Sequence, residues 1–79
     1  MRIAILGGGH GAYAAAADLA DAGHEVRLWR RDAVDFAAVL ASGTITLKDF
    51  RGRREARLAL ASTDIGAVIS GAELIVVPT

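Results

Sequence analysis

Six consecutive residues, Gly7-Gly8-Gly9-His10-Gly11-Ala12, and an arginine pair, Arg30-Arg31, are the parts of this 79-residue chain whose types and spacing suit ligand chemistry. Gly7, Gly9 and Ala12 stand in the spacing G-x-G-x-x-[GA]. In that spacing the first glycine makes a tight turn out of a strand, and the second lets backbone approach a diphosphate with no Cβ in the way. The third position calls for a small residue so that helix and strand pack closely, and alanine adds only a methyl group. Amide N–H groups at the start of the following helix, together with its dipole, favour negative charge. The turn is therefore expected to hold the pyrophosphate of a nicotinamide dinucleotide. A P-loop is excluded, because no Gly-Lys-Ser/Thr follows the glycines. His10 either donates to a phosphate oxygen or faces solvent.

The end of the next strand selects between dinucleotides. An Asp or Glu there accepts hydrogen bonds from the ribose hydroxyls and repels a 2′-phosphate. This chain has Trp29-Arg30-Arg31-Asp32, with Arg30 lying 18 residues after Ala12, close to the acidic position. A guanidinium there binds a 2′-phosphate through charge-assisted, often bidentate hydrogen bonds. NADP is the expected cofactor and NAD the alternative, in which Arg30 and Arg31 are a solvated pair, or Arg31 stacks on adenine, or Asp32 turns back to the ribose. Tyr13 and Trp29 are read as packing residues and His24 as a surface residue. No catalytic residue is assigned. With no cysteine and only His10 and His24 as imidazoles, neither a disulfide framework nor a metal site is expected.

These residues need a scaffold, and the apolar pattern describes one. Residues 2–6 are a continuous apolar run suited to a strand covered on both faces. Residues 10–22 read as an alanine-rich helix with Asp18 and Asp21 on its polar face, closed by Gly23. Residues 25–29 alternate as a second strand. Asp32 is expected to cap a second helix, with Asp35 near its positive end, that carries Phe36, Val39 and Leu40 and stops before Gly43. Residues 44–48 and 56–60 read as an antiparallel hairpin with Gly52 in its turn, the second arm running on to Ser62 as a strand of the main sheet. Ser62 or Thr63 is expected to cap a short helix over residues 64–70, interrupted by Gly66, and residues 73–77 form the last buried strand. Pro78 cannot continue a central strand. The fold class is α/β: a Rossmann-type parallel sheet of order 3-2-1-4 with flanking helices and a small hairpin insertion.

A hydrophobic fraction of 53% with zero formal net charge is too apolar for a disordered chain and too balanced for an electrostatic nucleic-acid binder. Neither a signal peptide nor a membrane span of about 20 apolar residues is apparent, so the expected compartment is the cytoplasm.

The stretch Met1-Arg-Ile-Ala-Ile-Leu-Gly-Gly-Gly-His-Gly, followed by Ala-Asp-Leu-Ala-Asp-Ala-Gly-His-Glu-Val-Arg-Leu-Trp, resembles the start of the 6-phosphogluconate-dehydrogenase-like superfamily. Gly43-Thr-Ile-Thr-Leu and the run from Leu60 through Thr63-Asp64-Ile65 to Ala72-Glu73-Leu74-Ile75-Val76-Val77-Pro78 are most similar to the octopine/nopaline (opine) dehydrogenases. Ketopantoate reductases and glycerol-3-phosphate dehydrogenases, of the same superfamily, are the near alternatives. The resemblance spans essentially the whole chain. It implies pyrophosphate contacts at Gly7, Gly9, His10, Gly11 and Ala12, adenosine contacts at Arg30 and Arg31, and a loop near the nicotinamide beginning at Pro78 and Thr79. Ala12 departs from the glycine common in these enzymes. The implied reaction is reductive condensation of an amino acid with a 2-oxo acid, with catalytic residues in a helical C-terminal domain absent from these residues.

By this reading the chain is the first part of a dinucleotide-binding domain, inactive alone, whose last strand lies on an open edge. Weak stability, or pairing through that edge with another chain as in a homo-oligomer, is the expected consequence. From a different class, a non-catalytic dinucleotide-sensing module would bind cofactor without turnover.

Overall fold

In the computed structural model, which describes residues 1–7, 10–31, 36–49 and 52–77, the first two apolar runs become neighbouring parallel strands. They are β1 (Arg2–Leu6) and β2 (Glu25–Trp29), in register from Arg2↔Glu25 to Leu6↔Trp29, with the bounds that the sequence pattern predicts. β5 (Leu60–Ser62) extends the sheet beyond β2, and β6 (Leu74–Val76) pairs with the other side of β1, both parallel. The order β5-β2-β1-β6 follows the expected succession 3-2-1-4. With the antiparallel pair β3 (Thr44–Asp49) and β4 (Gly52–Arg57) and three helices among the described residues, the architecture is mixed α/β.

The two faces of the sheet are covered by different helices. Side chains alternate along a strand, so Ile3, Ile5, Val26 and Leu28 face one way, into a core with Ala12, Ala16 and Ala17 of α1 (His10–Asp21). Arg27 faces the other way, toward α3 (Ile65–Ile69). It donates to the Ser70 carbonyl and, at 3.5 Å, to that of Val68, while Glu25 lies 3.8 Å from its guanidinium. A cation at a helix C-terminus satisfies carbonyls that have no partner inside the helix. α3 is too short to persist alone and is held by this arginine, by the buried Val68, and by Asp64 at its N-cap.

α1 explains its alanines. It contacts the sheet on one flank and both hairpin strands on another, Ile45 and Ala56 being buried with it. Gly11, Asp18 and Asp21 form one narrow exposed stripe at helical spacing. The remaining positions, from Tyr13 to Ala20, are partly or fully covered, and small side chains let both neighbours approach. The helix ends one residue earlier than expected, in a Schellman arrangement: Gly23 N–H donates to the Ala20 carbonyl at 3.0 Å and His24 N–H to that of Leu19 at 3.1 Å. Gly23 takes φ +93°, a value that a Cβ makes unfavourable.

Several expectations need correction. The hairpin's second arm is Gly52–Arg57, not 56–60: Arg53, Glu55 and Arg57 sit on its exposed face and only Ala56 is seen to be buried, so a polar run is strand through pairing with β3. β5 is a separate strand, set off by Leu58 N–H bonding to the Gly43 carbonyl and Ala59 N–H to that of Val26. The second helix is short, α2 (Ala37–Ser42), with the fully buried Phe36 rather than Asp32 at its N-cap and Gly43 at its end; Asp32 and Asp35 lie outside the described residues. α3 is capped by Asp64, whose Oδ1 accepts from the amides of Gly66 and Ala67. Ser62 instead accepts from the Asp64 amide, and Gly66 lies within the helix without interrupting it. Finally, β6 spans only three residues, and Leu74 and Ile75 are exposed rather than buried.

Candidate functional site

The glycine turn and the arginines meet at one end of the sheet. β1 runs into Gly7, at φ +136°, a conformation that requires glycine. The Gly7 N–H donates to the Trp29 carbonyl at 2.9 Å, so the turn is tied to the last residue of β2, and Arg30 is the next residue. His10 and Gly11 open α1, and Ala12 is buried against β1 and β2. The small third residue of the motif is thus a packing requirement, as expected. Gly11 differs: it is exposed, and a Cβ there would meet nothing within 4 Å. Packing within the chain does not demand a glycine at that position. Gly8, Gly9, Pro78 and Thr79 lie outside the described residues.

The arginines part company. Arg31 is exposed, whereas Arg30 is half-buried and turned onto the first turn of α1. Its Nη1 donates to the Tyr13 hydroxyl at 3.1 Å, and its guanidinium carbon stands 5.9 Å from the centroid of the Tyr13 ring. That distance is at the outer limit of a cation–π contact. Tyr13 also lines a groove of about 280 Å³ with Ala38 and Val39 of α2 and Thr44, Ile45 and Thr46 of β3. Neither chain partner of Tyr13 was apparent from the linear sequence; 17 residues separate it from Arg30. The signal available was an aromatic residue in the first turn of the helix and an arginine at the end of the strand that follows.

Trp29 completes the rim. Its indole Nε1 donates to the Thr63 carbonyl at 2.8 Å, joining the end of β2 to the turn between β5 and α3. At the opposite end of the sheet, His24 Nδ1 lies 3.3 Å from the amino terminus. This removes it from the candidate site.

No family model, curated protein or solved structure matches this chain significantly. No helix among the described residues is long and apolar enough to cross a membrane, and no group of three or more His, Cys, Asp or Glu residues among them could hold a metal ion.

Topology gives the site its setting. β1 has β2 on one side, reached through α1, and β6 on the other, reached through α3. The strand order reverses beside β1, at the carboxyl ends of the strands, where a crevice opens in α/β sheets of this kind. Gly7, the start of α1, Trp29 and Arg30 all stand at that end.

Proposed function

We propose that this chain is the dinucleotide-binding part of an NAD(P)-dependent oxidoreductase, built on a Rossmann-type sheet and selective for NADP. The observation that carries the reading is the Gly7–Trp29 hydrogen bond, which brings the glycine turn and Arg30 together where the strand order reverses. A diphosphate at that point would face the first amides of α1, which have no partners within the helix. The residues present fit such a ligand: Gly7 has the required backbone conformation, Ala12 lets the helix sit close, and Gly11 leaves open space. Arg30 and Arg31 provide cationic donors where an adenosine 2′-phosphate would lie.

The cofactor, when bound, supplies or accepts a hydride, and the protein contributes binding and orientation. On the resemblance given above, the whole enzyme is opine-dehydrogenase-like and condenses an amino acid with a 2-oxo acid, with the reacting groups supplied from outside these 79 residues. The test is calorimetric titration of the chain with NADP and with NAD, repeated on Arg30→Asp. Wild type is expected to bind NADP more tightly, and the substitution to abolish that preference. Equal affinities in the wild type would refute the selectivity, and no binding of either would refute the site.

A further inference from the structure

We infer that Tyr13 is a positioning residue for cofactor selection: its hydroxyl and ring hold Arg30 as the arginine that engages the 2′-phosphate, and Arg31 is secondary. This rests on the dinucleotide reading proposed above. The two arginines are adjacent and chemically equivalent in the sequence, but their surroundings differ. Arg31 is exposed, whereas Arg30 is half-buried against α1, with Nη1 on the Tyr13 hydroxyl at 3.1 Å and the guanidinium over the ring. A free arginine side chain surrenders considerable rotamer freedom when it binds an anion. One already restrained by a hydroxyl and an aromatic face surrenders less, which is how preorganisation raises affinity.

The location of Tyr13 strengthens the case. It lies in the first turn of α1, immediately after Ala12, so the helix whose amides would face the pyrophosphate also fixes the arginine. The separation between phosphate subsites is then set by one rigid element, a helix wedged between sheet and hairpin, rather than by a surface loop. Tyr13 is itself packed against the core, and it shares the wall of a groove with Ala38 and Val39 of α2.

The experiment is a double-mutant cycle on the full chain, using Tyr13→Phe, Arg30→Ala and the double variant, each titrated with NADP and with NAD. Tyr13→Phe keeps the ring and removes only the hydroxyl. It is expected to weaken NADP about three- to tenfold, the range for loss of one hydrogen bond, and to leave NAD within about twofold. In the Arg30→Ala background the same change should have no effect on NADP. An Arg31→Ala variant is expected to lose less NADP affinity than Arg30→Ala. An equal loss for both dinucleotides, an undiminished loss without Arg30, or no loss at all would overturn the positioning role. Wild-type protein that binds neither dinucleotide would overturn the cofactor reading itself, a result seen before any variant is compared.

Discussion

Two apolar runs of similar composition, Ile3-Ala4-Ile5 in β1 and Leu74-Ile75-Val76 in β6, pair with each other residue for residue and have opposite fates. The first is no more than 1% exposed, whereas Leu74 and Ile75 are 46% and 48% exposed. β1 has a strand on each side, α1 over one face and α3 over the other. Among the described residues β6 is paired on one side only and lies beyond both helices' main contacts. Burial in this sheet is thus decided by what covers a strand, and composition says only that a strand could be covered. An uncovered apolar edge of this kind also offers unpaired backbone groups to other chains.

The sharpest way to break the comparison is to remove the same atoms from each run. Ile5→Ala is expected to cost about 2–5 kcal/mol, because it opens a cavity in a packed core. Ile75→Ala should cost under about 1 kcal/mol, as for a surface position away from special features. Urea denaturation of the two variants measures the difference, and equal losses would show that β6 is covered in solution. A smaller effect is expected from Arg27→Met, which keeps the apolar stem but removes the donors to Ser70 and Val68. About 1–2 kcal/mol should be lost, the range for charged hydrogen bonds and a helix-end cation. Hydrogen exchange should locate that loss in α3, with β1 and β2 still protected.

The smallest effect concerns the one titrating group that joins the two runs. Glu73, just before β6, accepts the Arg2 amide at 3.0 Å and stands 3.6 Å from the Arg2 Nε. That backbone hydrogen bond, with the nearby guanidinium, holds its carboxyl below the ordinary value of 4.5. A lowered folded pKa contributes stability above the ordinary value, and the contribution is lost as pH falls through the folded one. Both side chains are about half exposed, so the effect is small and screened by salt. Glu73→Gln should flatten the acid limb of a stability–pH profile slightly and leave neutral stability nearly unchanged.

What was legible in the sequence follows the same division. β1, β2 and the end of α1 are written in local terms, apolar runs and a glycine at a helix terminus, and they are found within one residue of the expected positions. β4 was not, because Arg53-Arg54-Glu55-Ala56-Arg57 becomes strand only through its partner. Local sequence does not single out Asp64 from Ser62 and Thr63 as the cap of α3, since Ser, Thr and Asp compete closely for that role. In the site, Gly7 and Ala12 were legible because backbone conformation and close packing restrict those positions to small residues. The pairing of Tyr13 with Arg30 was not, since nothing local distinguishes Arg30 from Arg31.

Trp29 gives the molecule an optical property. It is the chain's one tryptophan, and its half-buried indole, hydrogen-bonded to Thr63, stands beside Arg30 at the end of β2. Indole emission responds to polarity and packing, so tryptophan fluorescence from this protein samples the carboxyl end of β2. A ligand bound there would become visible without a label, and unfolding reports from the same residue as the sheet end comes apart.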